Sequence, residues 1–275
     1  VSGGYQMKII TFAAIKGGVG KTTLTFNYGE WLSKKGHKVL FIDLDHQCNL
    51  TTLFQTTRKN NTIAEVFKDE EVAEDIIIDK VGENIDLISG YIDLDELSTQ
   101  LENDNNKAML LYLWLRKNMD KYQFEQYDYI LIDTHPDFGT ITKNAISVSD
   151  YLVSPITPSK HGYDAKFDLF GRLEKYRKTV FNYATGETYI DAKLYFVANM
   201  VKYNTKISRD LIEHIKDEDD VLGYINEKEL FNKASVNRCS IFDLEEDKEV
   251  YKKNKSFYDS INTVFETITT KLNED

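Results

Sequence analysis

Lys16-Gly17-Gly18-Val19-Gly20-Lys21-Thr22-Thr23 lies between an apolar run of strand length, Met7 to Ala14, and a stretch of helical pattern that opens at Thr22. Glycines at 17, 18 and 20 let the backbone turn its N–H groups inward around phosphate oxygens, and the helix that follows presents its positive end to them. In such a loop Lys21 meets the β- and γ-phosphates and Thr22 ligates Mg²⁺. The strict phosphate-loop pattern asks for glycine where Ile15 stands, so the match is imperfect, and Lys16 is the informative departure. A second lysine at the leading edge either reaches a nucleotide held by another subunit or is a solvated cation beside a glycine-rich turn.

Apolar runs of strand length alternate with longer helical patterns, the signature of a parallel sheet covered on both faces. Strands are expected at Lys8–Ala14, Lys38–Asp43, Asn84–Ser89, Tyr127–Asp133, Tyr151–Pro155 and Lys193–Ala198. Helices are expected at Thr22–Lys35, stopped by Gly36, and at Asp164–Tyr183. Thr62-Ile63-Ala64-Glu65 has the form of a capping box opening a short helix. The acidic run Asp217 to Asp220 is expected to be a solvated turn.

A chain of 275 residues can bury a full core as one α/β domain, and no proline- or glycine-rich linker divides it. The expected domain is 7–275; Val1–Gln6 lacks an initiator methionine and is expected to be an expression remnant. Apolar residues at 41% and charged residues at 29% describe an ordinary globular protein. No apolar run approaches the roughly 18 residues of a membrane span and no signal peptide opens the chain, so a cytoplasmic location is expected. Cys48 and Cys239 fit neither a metal spacing nor a disulfide framework. A net charge of −11 argues against a surface basic everywhere, yet leaves room for a local patch that binds a phosphate backbone.

In an open parallel sheet, ligands sit at the carboxyl ends of the strands. The second strand ends in Asp43-Leu44-Asp45, and alternation would send both carboxylates to one side. One of the pair could orient an attacking water while the other supports the Mg²⁺ shell.

Three segments in one order resemble the deviant Walker A ATPases of the ParA and MinD type. The loop matches their K-G-G-x-G-K-[ST]-[ST]. Asp43-Leu44-Asp45-His46-Gln47-Cys48-Asn49 is similar to their D-x-D-P-Q-G-N switch segment. Tyr129-Ile130-Leu131-Ile132-Asp133-Thr134-His135-Pro136 is similar to their apolar strand that ends in aspartate and T-P-P. The chain departs from the pattern at His46 and His135, where the family carries proline, and at Cys48, where it carries glycine. These departures put the stiffness of two loops in question. His46 is expected to be a neutral surface residue; beside a γ-phosphate it would instead make hydrolysis sensitive to pH near neutrality.

The resemblance implies a single-domain P-loop NTPase that binds ATP with Mg²⁺ through Gly17, Gly18, Val19, Gly20, Lys21, Thr22 and Thr23. It implies that Asp45 orients the water, that Asp43 and Asp133 join Thr22 around the metal through water, and that Lys16 makes the phosphate contact across a homodimer. Asn199, ending the sixth strand, either pairs with adenine through its amide or caps the next helix. The family's partners are non-specific DNA and a ParB-like centromere-binding protein. Lys202, Lys206, Arg209, Lys233, Arg238, Lys252, Lys253 and Lys255 are the cations that would form a DNA face, placing the ATP-bound protein on the nucleoid. The loop opens too near Met7 for a preceding helix-turn-helix, so operator-specific autoregulation is not expected. A MinD-like membrane or protein-cargo ATPase is the alternative. The apolar stripe Phe257, Ile261, Val264, Phe265, Ile268 and Leu272 bears on it, but its polar face has the wrong charge for anionic lipid, and packing against the domain is expected instead.

Overall fold

The computed structural model describes residues 7–69, 71–101, 107–182 and 184–274. Val1–Gln6, Tyr183 at the far end of the expected long helix, and Asp275 lie outside them. In chain order the elements are β1 (Lys8–Phe12), α1 (Lys21–Lys34), β2 (Val39–Leu44), α2 (Asn49–Leu53), β3 (Ile78–Lys80), β4 (Ile85–Ile88), α3 (Leu94–Gln100), α4 (Leu110–Lys117), β5 (Tyr129–Thr134) and α5 (Thr140–Val148). There follow β6 (Tyr151–Ile156), α6 (Lys160–Arg177), β7 (Lys193–Val201), α7 (Lys206–Ile215), β8 (Val221–Asn226), α8 (Glu229–Asn237), α9 (Ile241–Leu244) and α10 (Lys248–Glu274).

The strands form one eight-stranded sheet in the order β3-β4-β2-β5-β1-β6-β7-β8. Every neighbouring pair is parallel except β3 with β4. The chain leaves β1 toward β2 on one side and later continues through β6, β7 and β8 on the other. The carboxyl end of β1 is therefore the switch point of the sheet, where a crevice opens for a ligand.

Alternation along the strands divides the core. Ile10, Phe12, Val39, Phe41 and Leu131 face a layer made of α1 and the C-terminal helices, while Ile9, Leu40, Ile42, Ile130 and Ile132 face α3, α4 and α5. The central strands are buried on both sides, which is why their sequences are nearly continuous apolar runs. The stripe of α10 is buried as expected, with Phe265 set edge-on against Tyr28 and Trp31 of α1. Each such side chain contributes about 1.5–3 kcal/mol. An apolar face used in this way is not available to a lipid surface, so the feature on which the membrane alternative rested is committed to the core. No helix among the described residues is long and apolar enough to cross a membrane.

The expected strands are all present, with ends displaced by a few residues. Two were missed. β3 is only three residues long, and β8 carries Gly223 at φ 135° and a polar-interrupted pattern at the sheet edge. The long helix begins at Lys160 rather than Asp164, because the Ser159 hydroxyl caps it by accepting from Gly162 N, and it ends at Arg177. The capping box is only half made: Thr62 accepts from Ala64 N, but Glu65 turns away to accept from Glu74 N and Lys68 Nζ, and the segment is a 3₁₀ turn. Nor is Asp217 to Asp220 merely solvated. Glu218 and Asp220 take the buried ammonium of Lys166 from α6, and Glu218 also accepts from Tyr163 Oη.

Candidate functional site

The Lys16–Thr23 loop runs from β1 into α1, as its sequence requires. Gly18 and Gly20 hold φ of 74° and 83°, and Gly20 is the last residue before the helix. A Cβ on Gly20 would stand 2.4 Å from Asn199 Nδ2, so another residue here would take a strained backbone angle and displace the Asn199 amide. The loop lines an open cleft of about 290 Å³ together with Asp45, Gln47, Asn49 and Pro136.

Asp133, at the carboxyl end of β5, gathers the loop from below. Its Oδ1 accepts from Lys21 Nζ and its Oδ2 from Thr22 Oγ1, both at 2.7 Å, and Thr25 Oγ1 lies 3.4 Å from Oδ1. Lys21 and Asp133 are both buried, so each charge depends on the other. One carboxylate thus collects the two side chains expected to meet phosphate and metal. Hydroxyl and carboxylate oxygens are hard donors, the class that suits Mg²⁺.

Asp43 has protein donors of its own. Its Oδ2 accepts from Thr51 N at 2.9 Å and Thr51 Oγ1 at 2.8 Å, and its Oδ1 accepts from Asp45 N at 3.1 Å. It is fully buried, and burial, with the Asp133 carboxylate on the adjoining strand, pushes its carboxyl up to about 7. Asp43 ties the end of β2 to α2 and, like Asp133, lies behind the residues that line the phosphate cleft. Asp45 lies beyond the last residue of β2, so strand alternation does not govern it. It lines the cleft, and its Oδ1 is held by Gln47 N and by His135 Nδ1, each at 3.0 Å. Cys48, in the family's glycine position, takes φ 50° just before α2, a left-handed angle that a side chain adopts at a cost of about 1 kcal/mol or more.

Neither histidine is a lone surface residue. The rings of His46 and His135 lie with centroids 4.2 Å apart and planes tilted by 38°, and both are half-buried. Sequence reasoning found no partner for His46. The partner is 89 positions away and becomes adjacent only because β2 and β5 are neighbours that end together.

Lys16 is half-buried, and its Nζ donates to the His161 carbonyl at the start of α6, 2.6 Å away. On the other side of Gly20 a second cavity, of about 400 Å³, is lined by Thr23, Asn27, Asn199, Met200, Asn226 to Glu229, Phe231, Asn232 and Phe265, among others. Asn199 donates its amide to Val19 O at 2.8 Å. It therefore braces the loop from β7, and the cap of the following helix is Thr205 instead. Met200, at φ 55°, follows Asn199 where the pairing of β7 with β8 shifts register between Ala198 and Val201. Sequence analysis missed Met200, Asn226 and Phe231. Their only signal is tertiary: a bulge, a strand end and a helix that meet at one cavity.

All eight candidate DNA-face cations are exposed. They fall into groups on α7 and its approach (Lys202, Lys206, Arg209), on α8 and its end (Lys233, Arg238), and on α10 (Lys252, Lys253, Lys255). Lys202 stands 3.7 Å from Glu227, and Lys255 stands 2.6 Å from Asp259.

Residues 7–184 match a family model described as an AAA domain. An uncharacterized protein of Methanocaldococcus jannaschii is 31% identical over 219 residues, covering 76% of this chain and 80% of the relative. A virulence plasmid ParA family protein of Chlamydia psittaci is 34% identical over 55% of this chain and 58% of its own length. A Borrelia burgdorferi structure, assigned to plasmid partition and bound to AMPPNP, is 30% identical and superposes with a TM-score of 0.73 over 96% of this chain and 98% of its own.

Proposed function

The chain belongs to the ParA-type partition ATPases, and on that premise we propose that it hydrolyses ATP slowly, as a homodimer whose ATP-bound form holds DNA without sequence preference and releases it on hydrolysis. The observation that carries the proposal is the convergence of Lys21 and Thr22 on Asp133, with Asp45 on the rim of the same cleft.

Lys21 and the loop N–H groups take the β- and γ-phosphates. Thr22, with Asp133 behind it, would hold Mg²⁺, which would supply positive charge to offset the negative charge developing during phosphoryl transfer. Asp45, kept in orientation by Gln47 N and His135, aligns the attacking water. Lys16 supplies the contact to the nucleotide of a second copy, exchanging its bond to the His161 carbonyl for a phosphate oxygen. A cation supplied in trans ties hydrolysis to association, so turnover falls below the ~1–100 s⁻¹ of kinases until a ParB-like partner completes the site. The adenine occupies the cavity beside Asn199, and the exposed cations of α7, α8 and α10 face the DNA backbone. Such a protein works in the cytoplasm and sits on the nucleoid while ATP is bound.

The test is binding of a random-sequence duplex with ATP and Mg²⁺, with ADP and with no nucleotide, at two salt concentrations. Binding confined to the ATP state and steeply weakened by salt is expected. Equal binding in all three states, or none in any, refutes the switch.

A further inference from the structure

We propose that Asp45, His46 and His135 form a site for a first-row divalent transition ion of the Zn²⁺ class, at the rim of the phosphate cleft. One ligand atom from each residue lies within 4.8 Å of the other two. The Asp45 Oδ1 to His135 Nδ1 separation is already 3.0 Å. In a tetrahedral site with bonds of about 2.0–2.1 Å, ligand atoms stand about 3.3 Å apart, so the remaining closure is on the order of 1.5 Å or less. Rotation of two half-buried rings supplies it, since their centroids are only 4.2 Å apart.

The donor set selects the ion. Two imidazoles and one carboxylate suit Zn²⁺ and its neighbours, whereas Mg²⁺ prefers oxygen and its own waters. The carboxylate is buried and oriented by Gln47 N, which provides the outer support that such ligands need. A second small cleft, lined by Leu44, Leu94 and Asp95 beside the two histidines, gives the ion a way in. The hydrogen bond between Asp45 Oδ1 and His135 Nδ1 gives way to two bonds to the ion, and the neutral ring then carries its proton on Nε2. Three protein ligands leave coordination positions open. Neither histidine belongs to the family pattern that this chain resembles, so the site is a property of this sequence.

Capture of Asp45 by the ion would remove it from the attacking water and stall hydrolysis while nucleotide still binds. That consequence rests on the role proposed for Asp45; the binding of metal does not.

The experiment is titration of the full chain, free of nucleotide, with Zn²⁺ against a chromophoric chelator and with Co²⁺ followed by visible absorption. One equivalent bound, with the intense d–d bands of tetrahedral Co²⁺, is expected. His46→Ala and His135→Ala should each weaken binding at least tenfold, and His214→Ala should leave it unchanged. No Co²⁺ bands in the parent, or undiminished binding in correctly folded His46→Ala, overturns the site. Hydrolysis is then measured with saturating Mg²⁺ and added Zn²⁺: binding without slower turnover keeps the site and removes the proposed role of Asp45.

Discussion

The two cavities on either side of Gly20, one proposed for the phosphates and one for the base, are built in opposite ways. The phosphate end is eight consecutive residues, Lys16 to Thr23, fastened by one strand-end carboxylate, Asp133. The proposed base end is assembled from β7, the turn after β8, α8 and α10, and touches the loop through Asn199. A loop that must present backbone N–H groups has its angles fixed by glycine and its charges fixed by a buried partner, and both are local requirements. A cavity for a flat apolar base needs only walls, which can come from anywhere in the fold. The first end should therefore fail abruptly when altered and the second by degrees.

The sharpest break is Asp133→Ala. It strands the buried ammonium of Lys21 and should cost about 3–5 kcal/mol in urea unfolding. A loss under about 1 kcal/mol would mean that Lys21 finds water or another acceptor, and the contrast between the two ends would weaken. At the base end, Asn199→Ala removes one hydrogen bond to Val19 O and should cost about 1 kcal/mol. Calorimetric titration should then show ATP and ADP both bound roughly five- to tenfold more weakly, because the brace acts on the loop they share. A change for ATP alone would instead put Asn199 on the γ-phosphate side.

The smallest effect concerns α1, which starts in the phosphate loop and docks on α9 behind the base end through Asn27 and Lys34. Burial, with Asp243 nearby, raises the Glu30 carboxyl from its ordinary 4.5 to about 7. The native chain keeps a proton there that the unfolded chain has lost, so stability falls as pH rises between those values, and the cost is complete above 7. Glu30→Gln removes that cost. Its gain in thermal or urea stability should be about 1 kcal/mol larger at pH 8 than at pH 6. An equal gain at both pH values would show that Glu30 is solvated and that α1 is less firmly docked than its neighbours indicate.

The same contrast explains what was legible. The central strands could be read because each is an apolar run buried on both faces, and the loop could be read because glycine and lysine at fixed offsets have few other uses. That Asp43 anchors Thr51 could not be read, because the two are eight positions apart and meet only where β2 hands over to α2. Glu218 and Asp220 looked like a solvated run because Lys166 is more than fifty positions away. β3 and β8 are edge strands with too few alternating residues to stand out.

Residues adjacent in the chain determined the phosphate loop, the parallel core and the burial of the last helix, since their demands are met within a turn or along one strand. Only the tertiary structure decided which carboxylate faces the cleft, that Asn199 braces the loop, and that His46 meets His135. Those outcomes depend on which strands lie side by side and where each one ends, and the order β2-β5-β1-β6-β7 is set by the packing of two helical layers rather than by any local run of residues.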